Sequence, residues 1–364
     1  MQFSPAQDRA LAEVARWLAD PGQPQVFRLF GFAGTGKTTL ARHLADNVEG
    51  EVAFGAYTGK AALVMKSKGC RDARTIHSMI YRPKDVDSES PSFTLNEDSS
   101  AAKASLIVID ECSMVDEEMG RDLLSFGKKT LVLGDPAQLP PIQGGGFFTE
   151  AEPDAMLTEV HRQAVDDPIV RLSMAVRDGR RPERGTYGRT RVIEKSDIDA
   201  ATVTAADQVL VGLNKTRRAY NRRMRDLLGH SGDFPQAGEK LVCLRNNRAK
   251  GLLNGGLFRV AKANGVKRAK VSMSVTPEEA GSSAKPLRVR VLPAFFQGEE
   301  DIPYSLRKES DEFDFGYALT VHKAQGSQWN DVVLFDESFA FREHRARWLY
   351  TGITRAAERL TLVL

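Results

Sequence analysis

The sequence predicts an α/β protein built on two layers of parallel sheet, each carrying a small insertion, and three observations lead there. VFRLF reads as a buried strand leading into a glycine-rich stretch, and EVAFGAYT, SLIVID and TLVLGD are short apolar or β-branched runs that end on polar residues. Such runs read as buried parallel strands that present their C-terminal ends to a ligand. The same pattern returns after Ala151 in DQVLVGLN, VVLFD and the closing LTLVL. Within the second stretch, between DQVLVGLN and VVLFD, the segments EKLVCL, GLFRVA, AKVSMSV and LRVRVLP are separated by turn signals at Asn254-Gly255-Gly256 and Asn264-Gly265, which fits a small antiparallel barrel.

Taken in order, Ser4-Pro5 caps a helix that runs through Trp17 and Leu18 with apolar residues at helical spacing. The first α/β layer then occupies residues 1–80 and 104–150. Residues 81–103 are polar with two prolines, a poor core and a plausible projecting loop or hairpin. The second layer takes 151–234 and 311–364 and includes the basic helix KTRRAYNRRMRDLLG, with the barrel inserted at 235–310.

Composition narrows the class. The 364 residues are 41% hydrophobic and 27% charged, ordinary for a globular protein, and no apolar run approaches the ~20 residues that span a bilayer. The start lacks the basic and apolar regions of a secretory signal, so a cytosolic protein with no membrane partner is expected. Cys70, Cys112 and Cys243 are widely spaced without CxxC pairing and read as reduced thiols. The net charge of +3 conceals an asymmetry: residues 161–270 hold 24 Lys and Arg against 11 Asp and Glu, so the remainder is net acidic. A basic middle third suggests a polyanion partner, against the plainer reading of a solvated surface.

Chemistry is concentrated in three places. GFAGTGKTT, Gly31 to Thr39, lies between a strand and a helix with the spacing of a phosphate-binding loop. Backbone N–H groups of Gly34, Thr35, Gly36, Lys37, Thr38 and Thr39 can close around the phosphates of ATP at a helix N-terminus. Lys37 then reaches the β- and γ-phosphates, and Thr38 coordinates Mg²⁺. Asp110 and Glu111 end SLIVID, where Asp110 can hold the metal and Glu111 can deprotonate the attacking water. GDPAQLPPI places Gln138 at the same sheet edge, within reach of the γ-phosphate or that water.

GFAGTGKTT, VIDECSMV, GDPAQLPPI, LTEVHRQ, ALTVHKAQGSQW and YTGITRA occur in the order of superfamily 1 helicase motifs, and the chain resembles the RecD-like, phage Dda type (superfamily 1B). That resemblance implies two RecA-like motor domains with ATP between them. It also implies a pin-like insertion at 81–103 and an SH3-like β-barrel at 235–310. It assigns adenine recognition to Gln7 and phosphoryl charge to Arg162 and Arg355. Strand contacts fall to Thr58, Lys60, His77, Thr320, His322 and Lys323. For His77 and His322 a buried structural imidazole is the competing reading. Phe93, the one aromatic between Tyr81 and SLIVID, becomes a candidate strand-separating ring at the pin's tip.

The implied activity is a monomeric, Mg²⁺- and ATP-dependent helicase that moves 5′ to 3′ on single-stranded DNA. It would open forked DNA and work beside replication or recombination proteins. Two rivals stay open. One is a nucleic-acid-stimulated translocase that displaces bound proteins; the other is an ATP-gated DNA-binding or loading protein, for which Glu111, Arg162 and Arg355 would be superfluous.

Overall fold

The structure is a computed structural model that describes residues 3–85, 92–140, 146–159, 166–247, 250–278, 285–299 and 301–364. It divides into two compact units, Met1–Arg181 with Ala346–Thr354, and Pro182–Arg345 with Arg355–Leu364.

In the first unit the helix Pro5–Ala19 starts at a reciprocal cap. Ser4 Oγ accepts from Gln7 N–H while Gln7 Oε1 accepts from Ser4 N–H, and proline takes the first helical position. Its buried face, Ala10, Val14 and Trp17, packs on the sheet. That sheet contains β1 (Val26–Gly31), β2 (Val52–Ala56), β3 (Arg74–Thr75), β6 (Leu106–Asp110), β7 (Lys129–Gly134) and β8 (Ala155–Leu157). The hairpin strands β4 (Tyr81–Asp85) and β5 (Ser92–Leu95) lie outside it. The strand order is β3-β2-β6-β7-β1-β8, and every described pair is parallel. Alternate residues feed two cores: Phe27, Leu29, Leu131 and Leu133 on one face, Val26, Phe30, Val132 and Ile109 on the other. Burial on both faces explains why these strands read as continuous apolar runs.

One expectation about this unit changes and another gains detail. The first layer does not end at residue 150, because β8 continues its sheet beside β1 and the helix Pro168–Arg177 also belongs to this unit. Three residues, AML, are too short to stand out as a strand in the sequence. The segment 81–103 contains an antiparallel hairpin, Tyr81 opposite Leu95 and Pro83 opposite Phe93, followed by the short helix Ser100–Lys103. Residues 86–91, between these two strands in sequence, lie outside the described residues.

The second unit holds a six-stranded sheet of β9 (Gly185–Tyr187), β10 (Thr190–Ile193), β11 (Gln208–Val211), β17 (Ala318–Thr320), β18 (Trp329–Phe335) and β19 (Ala356–Val363). The order is β17-β11-β18-β19-β10-β9, parallel except at β9. At the β17 edge, the helix Asn214–Leu227 substitutes for a further strand: Asn221 Nδ2 donates to Ala318 O and its Oδ1 accepts from Ala318 N–H. The start of that helix has no side-chain cap of its own. Glu337 fills the role, accepting from Gly212 N–H, Leu213 N–H and the Thr216 hydroxyl.

Between β11 and β17 the chain forms a five-stranded antiparallel sheet of β12 (Lys240–Cys243), β13 (Leu257–Lys267), β14 (Lys270–Pro277), β15 (Leu287–Val291) and β16 (Phe313–Phe315), in the order β15-β14-β13-β12-β16. Its ends approach each other through a bridge between Val291 and Asp311. The sheet runs past residue 310 because β16 pairs with β12, and the FGYALT run is therefore divided between two sheets.

A buried ion pair fastens the helix Asn214–Leu227 to this sheet. Arg225 meets Glu239 at 2.7 and 3.1 Å and also donates to Gly232 O and Phe234 O. Glu239 takes further hydrogen bonds from Gln236 N–H and the Tyr317 hydroxyl, and its side chain is 0% exposed. Burial, and then the Glu239 charge, push Tyr317 up to about 12. Arg225→Ala would strand the carboxylate without its partner, so a stability loss of about 3–5 kcal/mol is expected in urea unfolding. A midpoint equal to the parent's would contradict it. Among the described residues no helix is long and apolar enough to cross a membrane.

Candidate functional site

Parallel pairing brings the C-terminal ends of β1, β6 and β7 to one sheet edge, and with them the phosphate loop, Asp110–Glu111 and Asp135. The loop needs its glycines for separate reasons. A Cβ on Gly31 would lie 2.8 Å from Leu157 Cβ, and Gly34 and Gly36 have φ of 79° and 82°. The helix Lys37–Ala45 starts directly after Gly36 without a side-chain cap, leaving its first N–H groups aimed into the loop. Lys37 Nζ donates to Gly31 O at 2.6 Å and Phe32 O at 3.0 Å, so the ammonium is held inside the loop. The buried Thr35 hydroxyl donates to Phe32 O.

The Thr38 hydroxyl donates to Asp110 Oδ2 at 2.7 Å, and Asp110 Oδ1 accepts from Glu111 N–H. This pair of hard oxygen donors suits Mg²⁺, which is commonly held by one or two protein oxygens together with substrate phosphates. Glu111 itself sits in the left-handed region, φ 54° and ψ 45°, which costs a non-glycine residue about 1–3 kcal/mol. The Gln138 side chain is buried at 7% exposure, and its Oε1 has no hydrogen-bond partner among the described residues. Gln7 is 5% exposed and its amide joins structure to site: Oε1 accepts from Ser4 N–H while Nε2 donates to Thr35 O. The glutamine expected to read adenine is therefore engaged in capping its own helix and bracing the phosphate loop.

The candidate strand contacts of the first unit are less uniform. Thr58 is half-buried and caps the helix Gly59–Ser67 by accepting from Ala61 N–H. Lys60, expected to meet phosphates, is only 8% exposed, because it lies on the inward side of that helix's first turn. His77 is half-buried between Tyr81, with ring centroids 4.9 Å apart, and Phe93 at 4.5 Å. Phe93 is not at the hairpin's tip: it stands in β5 opposite Pro83, edge-on to His77 and 47% exposed. Aromatic packing on the imidazole competes with projection into a fork. Phe93→Ala is expected to lower duplex unwinding severalfold while DNA-stimulated ATP turnover persists. If both fall together, the ring serves His77 and not strand separation.

In the second unit Thr320 ends β17, and His322 and Lys323 follow it. Thr320 Oγ1 accepts from Lys323 N–H, and Lys323 Nζ donates to Asn254 Oδ1 at 3.2 Å. His322 packs against Phe341 at 5.3 Å. Burial, with a smaller contribution from His344, holds the His322 pKa below its ordinary 6.5. The unfolded chain then binds the proton more readily than the folded one. Stability should accordingly rise with pH from the lowered folded value up to about 6.5 and be insensitive to this group above it. Thermal melts of the parent and His322→Asn across that range should diverge only on the acid side. Arg355 is 5% exposed and donates through Nη1 to Ser327 O. Arg162 lies outside the described residues. The three cysteines are buried and free, with Cys243 pushed up to about 12 chiefly by burial, consistent with unreactive thiols.

Three contributors escaped the sequence reading. The Tyr350 hydroxyl donates to Asp135 Oδ2 at 2.7 Å and accepts from Ala33 N–H at 3.0 Å, and Thr351 Oγ1 accepts from Leu139 N–H. The YTGITRA motif contains both residues, but only its arginine carries a charge suited to phosphate. Asn254 is the third, visible in advance as part of a turn signal.

The AAA domain family model matches residues 2–197, more than half of the chain, and the UvrD-like helicase C-terminal domain model matches 315–363. The chain belongs to the AAA domain family, within the superfamily 1B helicases. This superfamily 1B chain is 28% identical over 362 residues to the ATP-dependent RecD2 DNA helicase of Deinococcus radiodurans, covering 91% of the chain and 46% of that protein. It is 30% identical over 165 residues to the ATP-dependent DNA helicase dda of Enterobacteria phage T4, covering 41% of the chain and 37% of that protein. It thus spans less than half the length of these curated relatives. In fold it resembles the Pif1 helicase from Bacteroides solved with ADP-AlF3 and ssDNA, with a TM-score of 0.58 and 17% identity, covering 100% of the chain and 92% of that structure. The fold is α/β with a parallel-sheet RecA-like core.

Proposed function

We propose that the chain is an ATP-hydrolysing DNA motor that travels 5′ to 3′ on single-stranded DNA and separates forked duplex, acting as a monomer. The observation that carries this reading is the clustering of Lys37, the bonded pair Thr38–Asp110, the strained Glu111 and the buried Gln138 oxygen in one unit. A protein that only bound nucleotide would need the loop but not a carboxylate kept in a costly backbone conformation.

Backbone N–H groups from Gly34 to Thr39 hold the phosphates, and Lys37 carries positive charge to the oxygens where negative charge develops. Thr38 and Asp110 would hold Mg²⁺, which when bound neutralises phosphate charge. Glu111 accepts a proton from the attacking water, and Gln138 Oε1 accepts the water's other hydrogen and so orients it. By family resemblance Arg162 and Arg355 answer the charge on the transferred phosphoryl group. Thr58, Thr320, His322 and Lys323 supply sequence-independent contacts to the strand, while the burial of Lys60 weighs against a direct role for it. The hairpin at 81–95 is read as the pin and the five-stranded sheet as the SH3-like barrel. These assignments rest on the family's order of elements.

Single-strand-stimulated ATP turnover, followed by unwinding of duplexes carrying either a 5′ or a 3′ tail, tests the proposal. Turnover with unwinding only from the 5′ tail is expected. Turnover without strand separation would leave a translocase, and affinity that changes with nucleotide but without repeated turnover would leave a loading protein.

A further inference from the structure

The outer face of the five-stranded sheet carries charge for which the motor reading has no use. Along β14, Val271, Met273 and Val275 are buried, so Ser272 and Ser274 face the other way. The register sets Lys262 of β13 beside Ser274 and Ser274 beside Arg288 of β15; in the adjoining row Ser272 lies beside Arg290. The result is a trough of about 830 Å³ with hydroxyls along its centre and lysine or arginine on both sides. The side chains of Lys262, Lys267, Arg288 and Arg290 make no ion pair or hydrogen bond among the described residues. The acids nearby do not neutralise them. The Asp311 side chain is 3% exposed and already engaged by Lys250, Asn247 and Arg290 N–H, and Glu309 stands beside Lys270.

We propose that this trough is a second nucleic-acid site, one that grips the sugar–phosphate backbone of duplex DNA without regard to base sequence. Cationic walls and a hydroxyl floor match phosphate oxygens, which accept hydrogen bonds and carry charge at regular intervals. Among the described residues no aromatic lines the trough. It therefore lacks the stacking surface with which single-strand grooves hold unpaired bases, and a paired helix that offers only its backbone fits better. Nor does it suit an acidic peptide, because its apolar members Met273 and Val289 are each 1% exposed and provide no pocket for an anchoring side chain. The inference rests on the motor reading insofar as that reading brings duplex to the chain, and it gives the barrel the task of holding it.

The test is the triple substitution Lys262→Ala, Arg288→Ala and Arg290→Ala. All three side chains are exposed, so folding should survive; a thermal melt checks this, with Arg288→Gln alone as the milder variant. Binding to a blunt duplex is measured across a salt series, beside single-strand-stimulated ATP turnover. Each lost phosphate contact lowers the log–log salt slope by about 0.9, so the slope should fall by roughly three and duplex affinity by at least about tenfold at low salt. Turnover on single strands should stay at the parent level. An unchanged duplex slope would overturn the proposal. So would a parallel fall in single-strand-stimulated turnover, which would make the trough part of the motor's own track. Displacement of duplex from the parent protein by oligoglutamate at equal charge concentration would also overturn it, in favour of a surface for acidic protein segments. If the parent lacks DNA-stimulated turnover altogether, the motor reading fails while the duplex measurement still decides this one.

Discussion

Lys37→Ala is expected to lower ATP turnover by roughly 10²–10³-fold, the range seen when one donor to developing transition-state charge is removed. The ammonium already lies against the carbonyls of Gly31 and Phe32, so it is held within the phosphate loop and not swept in from solvent. Alanine removes a full positive charge that nothing else in the loop can replace, because the other groups there are backbone N–H donors and the hydroxyls of Thr35, Thr38 and Thr39. The proposed strand contacts are other side chains, so nucleotide-free binding to single-stranded DNA should persist. Steady-state turnover and DNA binding measured on the same folded preparation check both halves. Turnover near the parent level would remove the loop from catalysis.

Glu111→Gln should retain ATP binding and lose turnover by about 10²–10⁴-fold, the usual share of a general base. The amide keeps the shape of the carboxylate, and the backbone bond from residue 111 N–H to Asp110 Oδ1 does not depend on the side chain. Loss should therefore fall on the rate of the chemical step and not on nucleotide affinity. Single-turnover hydrolysis beside a nucleotide-binding titration separates the two, and a variant that hydrolyses normally would refute the role of base.

What the sequence disclosed, and what it concealed, divides along a physical line. Strands β1, β6 and β7 were legible because burial on both faces forces continuous apolar runs, and their polar ends marked the site. The phosphate loop was legible because its spacing is dictated by phosphate geometry. The strand β8 was hidden by its brevity, and the end of the five-stranded sheet by the fact that Phe315 and Ala318, three residues apart, serve different sheets. Side-chain direction was least accessible. A motif places Lys60 and Phe93 in a segment, yet whether an ammonium points inward or a ring leans on His77 is decided by neighbours distant in sequence. Tyr350 illustrates the same point from the other side, since its partner Asp135 lies 215 residues away.

The pairing of β11 with β17 has a consequence for the order in which the second unit assembles. Gln208 Nε2 donates to Tyr317 O across 109 residues, and the chain between them includes the helix Asn214–Leu227 and the whole antiparallel sheet. For an unfolded chain, closing so long a loop is slow and entropically costly. If the hairpins β13–β14 and β14–β15 form first and β16 then docks on β12, Leu241 comes to lie beside Phe315, and the loop left to close shortens to the stretch between β11 and β12. The inserted sheet thus acts as an internal clamp for the sheet that interrupts itself to hold it. Mutations that weaken β12–β16 pairing should slow folding of β11 and β17, even though they touch neither strand.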